Sequence, residues 1–164
     1  PLVRRARCVG AKVLIDAAQM APRTKFNVCS QNFDFMAFSA HKMLGPSGLG
    51  VLFVRREIHA LLRPLVYGGG MIASVTKESC MVRPMPALLE AGTPAIAEVI
   101  ALGAAIDYLT TLDFVELQRH EARLCKTLLD GLAQFKQVIV VGSYEKIIQA
   151  GHCVTFTVQG MHAH

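Results

Sequence analysis

Apolar residues fall in short blocks through the first third of the chain and in helical stripes through the last. Lys12-Val13-Leu14-Ile15-Asp16 is a short apolar run closing on a carboxylate, the pattern of a buried strand with a polar group at its C-terminal end. Residues 33–39 form a second run. Residues 49–54 form a third, entered through the turn residues Gly45-Pro46-Ser47-Gly48. A short helix is predicted next, with Ile58, Leu61 and Leu62 on one face and Pro64 as its stop. Residues 67–93 carry Gly68-Gly69-Gly70, Pro84, Pro86 and Gly92 with little periodicity, and read as a long functional loop. From Ala95 the pattern is helical, with Leu102, Ala105, Ile106, Leu109 and Leu112 on one stripe. A second helix is predicted over 113–135, with Leu117, Leu124, Leu128 and Leu132 inward and Arg119, Arg123 and Lys126 outward. Residues 138–141 and 152–158 then read as two strands of a smaller α+β unit.

Strands alternating with helices in the first half argue an α/β fold, with a first domain portion over 1–112 and a second over 113–164. A composition of 52% hydrophobic and 18% charged residues excludes intrinsic disorder. No apolar run approaches the ~18 residues of a membrane span, because Asp16, Lys25, Asp34 and Glu98 interrupt every candidate. Three predicted strands make a thin sheet. The chain also opens on Pro1 and stops just after a strand-like run. The expectation is a piece of a longer protein.

The net charge is +5, but Arg4-Arg5-Ala6-Arg7 is the only basic cluster and no aromatic platform accompanies it. A solvated helix face is expected there, with neither nucleic acid nor membrane as partner. Five cysteines without a C-x-x-C pair predict buried or half-buried free thiols in a reducing cytosol. His162 and His164 at the chain end do not make a metal site, and no metal is expected.

The candidate chemistry is concentrated between Asp16 and Lys42. Asp16 closes one predicted strand with Gln19 three residues on, and Ser39-Ala40-His41-Lys42 closes the next. In α/β sheets ligands bind at the carboxyl ends of strands, so these groups are expected to face one crevice. A confined lysine can act as an amine nucleophile towards a carbonyl. A carboxylate can pair with a protonated ring nitrogen, and a hydroxyl with an imidazole can grip a phosphate. That inventory fits pyridoxal 5′-phosphate, which needs a Schiff-base lysine and an acidic partner for its ring nitrogen.

The run from Val13 to Gln19 and the run Ser39-Ala40-His41-Lys42-Met43-Leu44-Gly45-Pro46-Ser47-Gly48-Leu49-Gly50 closely resemble the class V, fold-type I pyridoxal-phosphate enzymes. Within them the chain is similar to the cysteine desulfurase and selenocysteine lyase family. Gly68-Gly69-Gly70-Met71-Ile72 and Glu90-Ala91-Gly92-Thr93-Pro94 resemble its second group, linked to sulfur mobilisation for iron–sulfur clusters. The resemblance covers essentially the whole chain. It implies the second half of the cofactor-binding large domain over 1–112 and the start of a C-terminal α+β small domain over 113–164.

Carried over residue by residue, Lys42 matches the lysine that links to the cofactor and later moves the substrate Cα proton. Asp16 matches the aspartate on the ring nitrogen, and Gln19 the side chain on the ring's phenolic oxygen. Ser39 and His41 match phosphate ligands. Thr93 matches a threonine that reaches the phosphate across a dimer interface, which implies a homodimer. The implied activity is cytoplasmic conversion of L-cysteine to L-alanine, with sulfur held as an enzyme persulfide and passed to an acceptor protein.

Several family features are absent. The ring-stacking histidine and the phosphate-binding turn belong to preceding sequence, and the persulfide cysteine and carboxylate-binding arginine to sequence beyond His164. None of the five cysteines falls at the nucleophile's place, and Leu88-Leu89 replaces a more polar and aromatic pair. The isolated chain is therefore expected to be inactive. Two alternatives stand beside this reading. One is another class V enzyme such as a selenocysteine lyase, an aminotransferase or a kynureninase-type hydrolase. The other is a non-catalytic dimerisation module.

Overall fold

The computed structural model describes residues 2–163. The chain divides into two compact units, Pro1–Thr111 and Leu112–His164. In the first, α1 (Leu2–Cys8) leads to β1 (Leu14–Asp16), β2 (Phe35–Ser39) and β3 (Gly50–Val54), which form a sheet in the order β1-β2-β3. β1 runs parallel to β2, with Leu14 opposite Phe35 and Asp16 opposite Ala37. β3 returns antiparallel, with Ser39 opposite Gly50. One face of this sheet carries a core of Ala17, Ala21, Phe33 and Met36, against which Ile15, Phe26, Phe38, Met43 and Phe53 pack. Phe33 and Phe53 meet edge to face with centroids 5.9 Å apart. Arg4, Arg5 and Arg7 are exposed on α1, the solvated face expected of them.

The same unit holds a two-stranded antiparallel hairpin, β4 (Ile72–Val75) with β5 (Cys80–Val82), and the helix α2 (Ile96–Thr110). The hairpin corrects the expectation of an irregular loop over 67–93. Its turn is built by Thr76, whose Oγ1 accepts from the Glu78 and Ser79 amides at 3.2 and 3.0 Å. No Asn-Gly or Gly-Gly marks such a turn, and a register shift between Ile72 and Ser74 breaks the alternation that signals a strand. The helix predicted around Ile58 is a 3-10 turn, Arg56–Leu61. Ile58 is buried, but Leu61 is exposed: the long 3-10 rise carries it along the axis to line an open cleft with Arg7, Lys12 and Asp34.

The second unit comprises α3 (Phe114–Leu132), β6 (Val138–Val140), α4 (Tyr144–Ala150) and β7 (Phe156–Val158), with β6 and β7 antiparallel. Asp113 caps α3, its carboxylate accepting from the Val115 and Glu116 amides at 2.8 and 3.3 Å. The buried residues of α3 are Cys125 and Leu129, while Leu124 and Leu128, expected inward, are about half exposed. Two apolar stripes lie side by side on this helix, and α4 and β6 pack onto α3 so as to bury the one holding the cysteine. α4 was not anticipated, since its seven residues are too few to show a period.

All five cysteines are free, but Cys8, Cys29, Cys80 and Cys153 are exposed and only Cys125 is buried. This corrects the expectation of buried or half-buried thiols. The four exposed ones lie at a helix end, in a turn, on a hairpin strand and in the loop before β7, where no second layer covers them. Among the described residues no helix is long and apolar enough to cross a membrane. His164 lies outside the described residues.

Candidate active site

Because β1 and β2 are parallel, Asp16 and Ser39 end their strands at the same edge of the sheet. The Ala17 amide donates to the Ala37 carbonyl at 2.8 Å, carrying the pairing one residue past Asp16. Asp16 is exposed, and its Oδ1 accepts from the Ala18 amide at 3.0 Å, which opens a turn immediately after the strand. The Ala17 carbonyl then accepts from the Met20 and Ala21 amides. Ala17 and Ala21 are buried and anchor that turn, so Gln19 between them faces solvent.

Ser39, half-buried, leads directly into a 3-10 turn, Ala40–Met43. Residues three apart eclipse in such a turn. Ala40 is fully buried and Met43 packs against the sheet core, which turns His41 and Lys42 outward, both exposed. A small residue at Ala40 and an apolar one at Met43 thus orient the two polar side chains between them. The Ala40 amide donates to the Leu49 carbonyl at 3.0 Å and fixes the turn to the entry of β3.

Thr93 belongs to a different substructure. It is exposed in the stretch between a 3-10 turn, Ala87–Leu89, and α2. The Gly92 amide donates to the Gly69 carbonyl at 2.8 Å. A Cβ on Gly68 would lie 3.1 Å from the Gly92 nitrogen and 3.3 Å from the Ala91 Cβ. Glycine at 68 is therefore favoured by the close passage of residues 91–92, and glycine at 70 by its φ of 81°, while a side chain at 69 would meet nothing. The structure thus unites Asp16, Gln19, Ser39, His41 and Lys42 at one sheet edge, and pairs the glycine triplet with the segment that precedes Thr93.

The family model for class V aminotransferases matches residues 1–164. The chain belongs to the class V aminotransferase family. A probable cysteine desulfurase of Mycobacterium leprae is 40% identical over 163 residues, covering 99% of this chain and 39% of the relative. The apo cysteine desulfurase of Thermococcus onnurineus superposes with a TM-score of 0.85 at 35% identity, over 98% of this chain and 40% of that one. The cysteine desulfurase CsdA of Escherichia coli superposes with a TM-score of 0.84 at 30% identity, over 98% of this chain and 39% of that one. The chain spans about two fifths of the length of the curated relatives it matches. Within the family its likeness is to cysteine desulfurases, and its mixed α/β architecture is that of the corresponding part of their fold.

Proposed function

We propose that this chain supplies the lysine-bearing part of a pyridoxal-phosphate-dependent cysteine desulfurase, which converts L-cysteine to L-alanine and transfers the sulfur to a thiol as a persulfide. The observation that carries the reading is the parallel pairing of β1 with β2, through which Asp16 and the Ser39–Lys42 turn share one edge. Likeness to cysteine desulfurases over nearly the whole chain supports the choice of substrate.

The donor set at that edge fits the cofactor by its chemistry: one carboxylate and one hydroxyl on the last strand residues, and one carboxamide, one imidazole and one amine on the short turns that follow. Asp16 would hold a protonated ring nitrogen through its charge. Gln19 would donate to the phenolic oxygen, and Ser39 with His41 would hold the phosphate. When bound, the cofactor supplies an electron sink for charge developing at the substrate Cα. Lys42 would anchor the cofactor and then take the proton from that Cα, acting as general base once its amine is neutral. Thr93 would serve the phosphate of a second copy, in a homodimer with composite sites. The receiving thiol is assigned to none of the five cysteines here. The reading extends to a cytoplasmic enzyme that delivers sulfur to an acceptor protein for iron–sulfur cluster assembly.

The test is covalent. The chain is incubated with pyridoxal phosphate, reduced with borohydride and mapped by peptide mass. Fixation on Lys42 is the expected result. Fixation mainly on Lys12, Lys25 or Lys77 overturns the assignment.

A further inference from the structure

We propose that Leu102 on α2 is a positioning residue for Lys42, acting through the backbone at Gly45. The inference rests on the reading of Lys42 as the reactive amine, and it adds a residue from a helix distant in sequence. Lys42 lies on a small loop closed on a single carbonyl. The Leu44 and Gly45 amides both donate to the Ala40 oxygen, the latter at 3.0 Å. Ala40 is fully buried and tied to Leu49, so it is the fixed end of the loop. The other end is held under tension. Leu44 has φ 61°, the only positive φ at a non-glycine among the described residues, in a region disfavoured for leucine.

Burial of its own side chain cannot hold Leu44 there, because that side chain is 65% exposed. The restraint comes from the next residue. At Gly45 a Cβ would lie 3.0 Å from the Ala40 oxygen and 3.2 Å from Leu102 Cδ1, so Leu102 fills the space beside this glycine and backs the turn where α2 packs against it. Leu102 is itself buried, 6% exposed, so its position is set by the core of the unit. With the loop closed on Ala40 and backed at Gly45 by Leu102, the Cα of Lys42 between them has a defined place and its amine a restricted arc. Removing atoms from Leu102 frees the closing end and lets Leu44 relax, which widens that arc.

The experiment uses Leu102→Val, which shortens the side chain by one methylene and keeps the core apolar. Leu109→Val makes the same deletion on the same helix at equal exposure, 6%. Two readouts are taken on the full chain. One is amide hydrogen exchange at Leu44 and Gly45, which needs no cofactor; the other is the rate of borohydride-fixed pyridoxal phosphate at Lys42. In Leu102→Val, exchange at these two amides is expected to rise about tenfold while Phe38 and Val51 in the sheet stay unchanged. Fixation at Lys42 should slow, Leu102→Met should restore both readouts, and Leu109→Val should leave both near the parent values. Equal loosening by Leu109→Val, or no response of Leu44 and Gly45 to Leu102→Val, overturns the proposal. Faster exchange in Leu102→Val in a protein whose parent never fixes cofactor at Lys42 would support the brace and refute the function assigned to the lysine.

Discussion

Asp34 is the buried charge that sets where the sheet begins, and replacing it in two ways separates its hydrogen bond from its charge. The residue is 5% exposed and immediately precedes β2. Its Oδ2 accepts from the Val13 amide at 2.8 Å, its own amide donates to the Val13 carbonyl at 2.9 Å, and its carbonyl accepts from the Arg55 amide at 2.9 Å. One residue therefore joins the entry to β1, the start of β2 and the end of β3. Lys12 Nζ lies 4.0 Å from Oδ1 on a side chain 53% exposed, a pairing that solvent screens to about 0–1 kcal/mol. Asp34→Ala leaves the part-buried Val13 amide without its acceptor, and the expected loss is about 1–3 kcal/mol. Asp34→Asn keeps an oxygen for that amide and presents its NH2 towards the open cleft, where water reaches it, so the expected loss is below about 1 kcal/mol. Urea unfolding followed by circular dichroism measures both, read from the midpoint at constant slope. A loss in Asp34→Asn equal to that in Asp34→Ala would refute the reasoning, because charge would then outweigh the hydrogen bond.

Two further predictions concern the second unit. Asp113→Ala removes the acceptor for two α3 amides and should cost about 1 kcal/mol in the same unfolding assay, with Asp113→Asn retaining most of the stability. Lys126 donates to Asp130 at 2.6 Å and to the Tyr144 hydroxyl at 3.4 Å, and that hydroxyl donates to Asp130 in turn. These hydrogen bonds, the one with Asp130 first, raise Lys126 above its ordinary 10.5; the one from Lys126 first, then that from Tyr144, lower Asp130 below its ordinary 3.8. The lowered carboxyl contributes stability that is present above 3.8 and lost as pH falls through its folded value; the raised amine contributes stability that is full below 10.5 and lost as pH rises through its folded value. Tyr144→Phe should therefore shrink both the acid-side and the alkaline-side loss, and unchanged pH profiles would count against the cluster.

The residues that determine the candidate site were legible in the sequence because their placement is local. The short run Val13-Leu14-Ile15 between Lys12 and Asp16 reads as a strand, and it is one, although it is not the buried strand expected, since Leu14 is 57% exposed. The second run delivers Ser39, His41 and Lys42 in the same way. Two strands linked by a long connection and run in parallel then end at one edge. Tertiary structure alone decided what depends on distant partners. The β4–β5 hairpin escaped notice because its strands are almost wholly exposed and carry no alternation to read. Of two apolar stripes on α3, size favoured the leucines at 124 and 128, yet packing by α4 and β6 selected Cys125 and Leu129. The need for glycine at 68 arises from residues 91–92, and at 45 Leu102 adds to the local crowding by Ala40, contacts from distant residues that no spacing within either motif encodes. Local pattern specifies which groups a turn carries, whereas the position of that turn is set by whatever the fold presses against it.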